Sequence, residues 1–251
     1  MTVIAPADVL ASRRPFEVPV ARFQVLGERC SGTNFADFLI GANTRLQRTR
    51  DYGWKHGFPG FHSVPRDDLL IVCFRDAESW LRSMYQKPWH VPAEDTDVTF
   101  SEFLRSPWRT ILDMPIAMSA IGARKSFRLP VQRDRHPITG KMPANPVDLR
   151  NLKNAAFLGI LERGCNVALI RHEDVTARPD AVLDRLCALF AIERNPGALA
   201  LPDTQLGEMT TRTIEGPRRD ATPVFSDADR AFVQRALDHD TETRLGYRFA
   251  A

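Results

Sequence analysis

The sequence predicts an α/β fold of three layers, in which helices cover both faces of a central, mainly parallel sheet. Two observations support this prediction. Three segments have the pattern of a short strand that leads directly into a helix, and such repeated alternation is typical of parallel sheets. In addition, residues 69–74 form a continuous apolar run, as expected for a strand that is buried on both faces.

The three strand and helix units follow one another along the chain. In order they are strand 22–26 with helix 34–46, strand 69–74 with helix 76–86, and strand 166–170 with helix 179–192. The first strand ends at Gly27, and the third helix begins at Pro179, a residue favoured in the first turn. Each unit therefore has a recognisable beginning or end as well as the right periodicity.

Two further helices and one irregular region complete the prediction. Residues 148–163 are apolar at helical spacing and precede Gly164, whereas Ser226 has the character of a helix N-cap for residues 226–237. Between 106 and 147, six prolines exclude one long regular element. We predict a single domain over 1–251, in which the proline-rich region at about 106–147 is an insertion. It serves either as a lid or as a surface connection with no further role.

Composition limits the kind of protein and its partners. The 251 residues include 34 basic and 31 acidic side chains, so the formal net charge is only +3, and we expect a globular protein that does not bind nucleic acid as its main partner. The four cysteines form no CxxC pair, which argues against a zinc site and fits a reducing cytoplasm. No apolar stretch approaches the roughly 20 residues of a membrane helix, so a cytoplasmic protein without a transmembrane segment is expected.

The loop between the first strand and its helix has the spacing of a phosphate-binding loop. Residues 27–34 read GERCSGTN, with the two glycines separated by four residues. An NTPase loop would continue with Lys and then Ser or Thr, which bind the terminal phosphates and magnesium, but this chain has Thr33 and Asn34 there. The pattern favours a phosphate-bearing ligand that is bound without magnesium. A generic turn from strand to helix is the alternative.

Three segments together resemble the sulfotransferases that use 3′-phosphoadenosine 5′-phosphosulfate (PAPS). Residues 30–35, CSGTNF, resemble the family's 5′-phosphosulfate loop, and residues 71–85 resemble its 3′-phosphate motif, a strand that ends in Arg75 with Ser83 eight residues later. Residues 166–189 resemble the family's Arg-Tyr-Glu-Asp segment, here Arg-His-Glu-Asp. The resemblance implies a divergent, bacterial-type member with the family's P-loop NTPase-like fold.

The resemblance also implies an activity and a set of site residues. The protein would transfer the sulfuryl group from PAPS to a hydroxyl or amine of a carbohydrate, lipid or small molecule, without a metal ion, and release 3′-phosphoadenosine 5′-phosphate (PAP). The segment around Lys55 and His56 resembles the family's Lys-x-His segment, so His56 is expected to be the general base and Lys55 a cation beside the sulfuryl group. The expected donor-binding residues are Arg29, Cys30, Ser31, Gly32, Thr33, Asn34, Arg75, Ser83, Arg218 and Arg219.

One departure from the family pattern leaves alternatives open. Family members have a basic residue where this chain has Cys30, so either Arg29 reaches the loop, or Lys55 supplies the charge, or transfer is impaired. Two other functions compete with sulfuryl transfer. A kinase or other NTP-dependent transferase would require magnesium, and a non-catalytic protein would bind PAP or PAPS without turnover.

Overall fold

The computed structural model describes residues 10–12, 18–111, 134–204, 206 and 221–250. These residues form two compact units. The first unit comprises the described residues within Met1–Asp76, Lys153–Gly207 and His239–Arg248, and the second those within Ala77–Leu152, Glu208–Asp238 and Phe249–Ala251. The prediction of one domain over the whole chain stays a prediction.

A five-stranded sheet forms the centre of the first unit. Its strands are β1 (Leu10–Ser12), β2 (Arg22–Gly27), β3 (Gln47–Arg48), β4 (Asp68–Phe74) and β5 (Asn166–Arg171). The order is β1-β5-β4-β2-β3, in which β1 runs antiparallel to β5 and the other neighbours are parallel. The predicted α/β class with a mainly parallel sheet is therefore confirmed.

Eight α-helices lie within the described residues. They are α1 (Thr33–Asn43), α2 (Ala77–Gln86), α3 (Phe100–Arg105), α4 (Pro146–Leu158), α5 (His172–Ala177), α6 (Pro179–Phe190), α7 (Asp227–Ala236) and α8 (His239–Arg244). The five longer helices confirm the predicted ones, with ends that differ by up to five residues. The predicted 148–163 segment continues beyond α4 as a 3-10 helix, Gly159–Arg163, which ends at the left-handed Gly164.

Alternating side chains of the central strand supply both halves of the hydrophobic core. Leu69, Ile71 and Cys73 of β4 pack with residues of α1 and α6, whereas the intervening side chains pack with Phe157 and Leu158 of α4. Every residue of β4 is buried, because successive side chains of a strand point to opposite faces and both faces are covered. Helices on both faces of the sheet agree with a three-layer α/β/α arrangement.

The second unit contains a helix start that the sequence predicted. Ser226 precedes α7 and accepts a hydrogen bond from the backbone of Asp229, whose side chain bonds back to Ser226. Burial opposes the charge of Asp229, but hydrogen bonds from Ser226, Ser101 and Arg105 outweigh it and lower the pKa of Asp229 to about 2. None of the described helices is long and apolar enough to cross a membrane.

Candidate anion-binding site

Two glycines shape the loop between β2 and α1. Gly27 ends β2 at a φ of 147°, and a Cβ at this position would lie 2.6 Å from the carbonyl oxygen of Cys73. Gly32 caps α1 at a φ of 82°, and its Cβ would lie 2.3 Å from Nδ1 of His172. Other residues would therefore meet a steric conflict as well as an unfavourable backbone angle. The loop leads its backbone to the N-terminus of α1, where free amide groups favour an anion.

Arg75 reaches this loop from the end of the neighbouring strand. Its Nη1 donates a hydrogen bond of 3.1 Å to the carbonyl oxygen of Cys30, which adopts a left-handed φ of 61°. The backbone N–H of Asp76 donates to the Glu173 carboxylate at 3.0 Å and so fixes the chain just after Arg75. Because β2 and β4 are parallel neighbours, their carboxyl ends lie at the same edge of the sheet, where such folds bind ligands.

Lys55 brings a second cation to the start of α1. Its ammonium donates to Oδ1 of Asn34, the second residue of the helix. Its backbone carbonyl accepts a 2.9 Å hydrogen bond from the N–H of Gly27, so the segment is attached to the end of β2. Burial lowers the pKa of the Lys55 ammonium. Lys55 therefore places a positive charge near the position where the NTPase lysine is missing from the sequence.

His56 is held in one tautomer by the same loop. Its Nδ1 lies 2.6 Å from the carbonyl oxygen of Gly27. Because a carbonyl oxygen only accepts hydrogen bonds, Nδ1 must carry the proton, and the lone pair of the neutral ring is on Nε2. The ring also lies edge-on to Trp54, with 5.3 Å between the ring centroids. This is the tautomer that a general base acting through Nε2 requires.

Arg29 is turned away from solvent. Its side chain is 1% exposed, its Nε lies 2.8 Å from the Glu28 carboxylate, and its guanidinium carbon lies 5.3 Å from the centroid of the Trp54 ring. A guanidinium that is enclosed and paired with a carboxylate is poorly placed to bind an anionic ligand. Of the two residues predicted to supply the loop's charge, the geometry favours Lys55 over Arg29.

The other predicted donor-binding residues lie in the loop and the first turn of α1, on α2, or outside the described residues. Ser31 and Thr33 are buried in the loop and the first turn of α1, and Cys30 is half-buried. Ser83 is half-buried on α2, in the second unit. Arg218 and Arg219 lie outside the described residues.

His172 is a site residue that sequence reasoning missed. It directly follows β5, and its ring packs against Gly32. His172 therefore lies beside the loop. Burial, followed by the nearby charge of Arg75, lowers the pKa of His172 to about 4, and its ring is therefore neutral at neutral pH. Its position immediately after a buried parallel strand was the available signal, because that end of the strand faces the ligand edge.

Unlike Arg29, the cations Lys55 and Arg75 are placed so that their charge can act on a ligand. In the part of the chain that the structure describes, neither Lys55 nor Arg75 has a carboxylate within ion-pair distance, and their hydrogen bonds go to an amide oxygen and a backbone carbonyl. Such a pair of cations beside a helix N-terminus favours an anionic ligand. Among the described residues, no group of three or more His, Cys, Asp or Glu side chains is arranged to hold a metal ion.

Comparisons with protein-family models, with curated proteins and with solved structures each returned no match for this chain.

Proposed function

We propose that this protein is a PAPS-dependent sulfotransferase with a P-loop NTPase-like fold. The observation that supports this function best is the convergence of Lys55, His56 and Arg75 on the loop at residues 27–34. The three residues come from two different segments of the chain, yet all of them contact either the loop or the first turn of α1. They combine anion recognition with a candidate base, and sulfuryl transfer requires both.

In this proposal, the loop and the two cations divide the binding of the donor. The amides at the N-terminus of α1 hold the 5′-phosphosulfate, and the Lys55 ammonium lies beside it. Arg75 uses the guanidinium nitrogens that do not contact Cys30 to bind the 3′-phosphate. A guanidinium suits this task because it forms strong charge-assisted hydrogen bonds with phosphate.

The chemistry then follows from the tautomer of His56. The acceptor oxygen or nitrogen attacks sulfur, a new bond to sulfur forms, and the bond between sulfur and the 5′-phosphate oxygen breaks. The acceptor's proton passes to Nε2 of His56, while the leaving PAP keeps the electron pair of the broken bond. Lys55 stabilises the negative charge that develops on that phosphate.

Titration calorimetry tests the donor site directly. PAP is titrated into the protein in EDTA, and ATP with magnesium is titrated in parallel. We expect PAP to bind without metal and Arg75→Ala to weaken its binding about 10- to 100-fold, through loss of a charged hydrogen bond. Arg45→Met is the matched control, because Arg45 is 73% exposed and pairs only with Glu193 among the described residues. Binding of magnesium-ATP alone would instead indicate an NTP-dependent transferase.

Replacement of His56 separates catalysis from binding. We expect His56→Ala to lower the rate of sulfuryl transfer by roughly 10²- to 10⁴-fold, the usual contribution of general base catalysis, with little change in PAP affinity. The measurement is turnover of PAPS with a panel of hydroxyl and amine acceptors. A parent protein that binds PAP but shows no turnover across the panel would support the non-catalytic alternative.

A further inference from the structure

A buried lysine contacts the segment that contains His56. Lys153 lies on α4 and its side chain is fully buried, with an exposed fraction of 0%. Its Nζ donates a 2.5 Å hydrogen bond to the backbone carbonyl of His56. The same ammonium lies 4.3 Å from the centroid of the Phe58 ring, over its face. Lys153 therefore contacts both the backbone of the proposed general base and the aromatic ring two residues after it.

The lysine is also connected to the phosphate loop. Its Nζ lies 3.5 Å from Oε2 of Glu28, whose other carboxylate oxygen accepts from the backbone N–H of Arg29 at 2.7 Å and pairs with the Arg29 side chain. The three charged side chains Glu28, Arg29 and Lys153 are each at most 4% exposed. One buried charge cluster thus joins the loop at 27–34 to the segment at 54–58.

Energetics argue against a purely stabilising role for this cluster. Removing charges from water is costly, and a buried ion pair is often no more stable than apolar side chains of similar size. A fully buried lysine is therefore expected to be useful for what it positions. Here its ammonium satisfies the His56 carbonyl, while the ring of the same residue donates from Nδ1 to the Gly27 carbonyl.

We propose that Lys153 is a positioning residue that holds His56 in its Nδ1–H tautomer against the phosphate loop. This inference rests on the proposed function, because the tautomer of His56 affects catalysis only if His56 takes the proton from the acceptor substrate. Without the Lys153 hydrogen bond, the carbonyl of His56 becomes a buried acceptor without that donor, and the segment at 54–58 shifts to satisfy it. The ring then loses its fixed contact with Gly27.

The test uses nitrogen NMR of the unliganded full-length protein labelled at histidine. In the parent protein, Nδ1 of His56 should carry the proton and Nε2 the lone pair. In Lys153→Met the ring should become a mixture of tautomers. In this variant Glu28 still pairs with Arg29, so the remaining charges of the cluster are balanced. Lys153→Leu is measured as well, so that the result does not depend on how one apolar side chain packs. Arg185→Met replaces an exposed cation on α6 and should leave the spectrum unchanged.

The turnover number is a second test, because loss of a merely structural residue would not lower kcat selectively while PAP affinity stays unchanged. We expect both Lys153 variants to lower kcat roughly 10- to 100-fold, the scale of a misplaced catalytic group, with PAP affinity within about threefold of the parent. An unchanged His56 tautomer in a folded Lys153 variant would overturn the proposal, and so would a parent spectrum in which Nε2 carries the proton. The NMR comparison requires neither donor nor turnover, so absence of PAP binding would reject the proposed function separately.

Discussion

Charged side chains at the two ends of the parallel strands differ in their interaction partners. At the amino ends, the buried Asp68 carboxylate accepts two hydrogen bonds from Arg22, at 2.8 and 2.9 Å, and a third from the Tyr52 hydroxyl. At the carboxyl ends, the buried charges of Glu28, Arg29 and Lys153 also pair with one another, but Lys55 and Arg75 contact an amide oxygen and a backbone carbonyl among the described residues. Asp68 thus belongs to a charge network that is complete within the protein, whereas Lys55 and Arg75 have no carboxylate at ion-pair distance in the part of the chain that the structure describes.

This contrast separates residues that stabilise the fold from residues available to a ligand. A carboxylate surrounded by three hydrogen-bond donors has little capacity left, and its removal leaves buried groups unsatisfied. A cation that contacts only neutral oxygens retains its attraction for an anion. Asp68 and its partners are therefore expected to contribute to stability, whereas Lys55 and Arg75 are expected to contribute to binding.

Replacement of Asp68 should have the largest effect on stability. We expect Asp68→Ala to lower the free energy of unfolding by about 3 kcal/mol, since the buried Tyr52 hydroxyl then lacks its acceptor. Asp68→Asn, which keeps one oxygen acceptor, should lose less. Urea unfolding measures both variants, and PAP titration of the folded protein should show unchanged affinity. Weaker PAP binding with unchanged stability would contradict the division between the two ends.

His172 should make stability depend on pH from the ligand end of the sheet. Its pKa is about 4 in the folded protein, through burial and then the charge of Arg75, against about 6.5 when unfolded. Below about pH 6.5 the unfolded chain takes up a proton that the folded protein does not, so stability falls as the pH drops towards about 4. We expect a loss of about 2 kcal/mol between pH 7 and pH 5.

Variants of His172 and Arg75 test whether His172 causes this pH dependence of stability. His172→Gln should remove the pH dependence, whereas the exposed His62→Gln should not. Arg75→Ala removes a cation beside the ring and should raise the pKa of His172, which narrows the pH range over which stability is lost. If the pKa of His172 by NMR titration is the same in Arg75→Ala and in the parent, the two side chains are not electrostatically coupled at the loop.

The smallest effect is expected from Asp51, which shares a partner with Asp68. Asp51 pairs with Arg22 at 3.0 Å, but its side chain is 61% exposed, so solvent screens the interaction. We expect Asp51→Ala to leave the midpoint of urea unfolding unchanged within error. A loss comparable to that of Asp68→Ala would show that pairing with Arg22, rather than burial of the carboxylate, governs stability at this end.

Much of the fold could be predicted because its elements have a clear local signal. The apolar run at 69–74 corresponds to β4, which is buried on both faces, and the Ser226 cap predicts the start of α7. The short strands β1 and β3 and the six-residue helices α3, α5 and α8 were not predicted. Strands of two or three residues and helices of fewer than two turns contain too little of their period to be distinguished from loops.

Only those parts of the candidate site that belong to short sequence motifs could be predicted. The loop at 27–34 and the residues Lys55, His56 and Arg75 were identified from spacing and resemblance, but the contacts of His172 and Lys153 were not. His172 lies 140 residues along the chain from Gly32, which it contacts, and Lys153 lies 97 residues from His56. A helical pattern of apolar residues does not reveal that the lysine of α4 is turned inward.

By itself, the sequence determined the alternation of strands and helices, the glycine spacing of the phosphate loop and the absence of the NTPase lysine from that loop. These properties depend on neighbouring residues, whose periodicity and backbone preferences are local. Only the tertiary structure decided which cation faces the loop. Arg29 lies within the loop in sequence, but its side chain is enclosed beside Glu28, whereas Lys55, 21 residues from Asn34, reaches the start of α1. The reason is physical: strand order and the attachment of residue 55 to the end of β2 determine which side chains meet at the sheet edge.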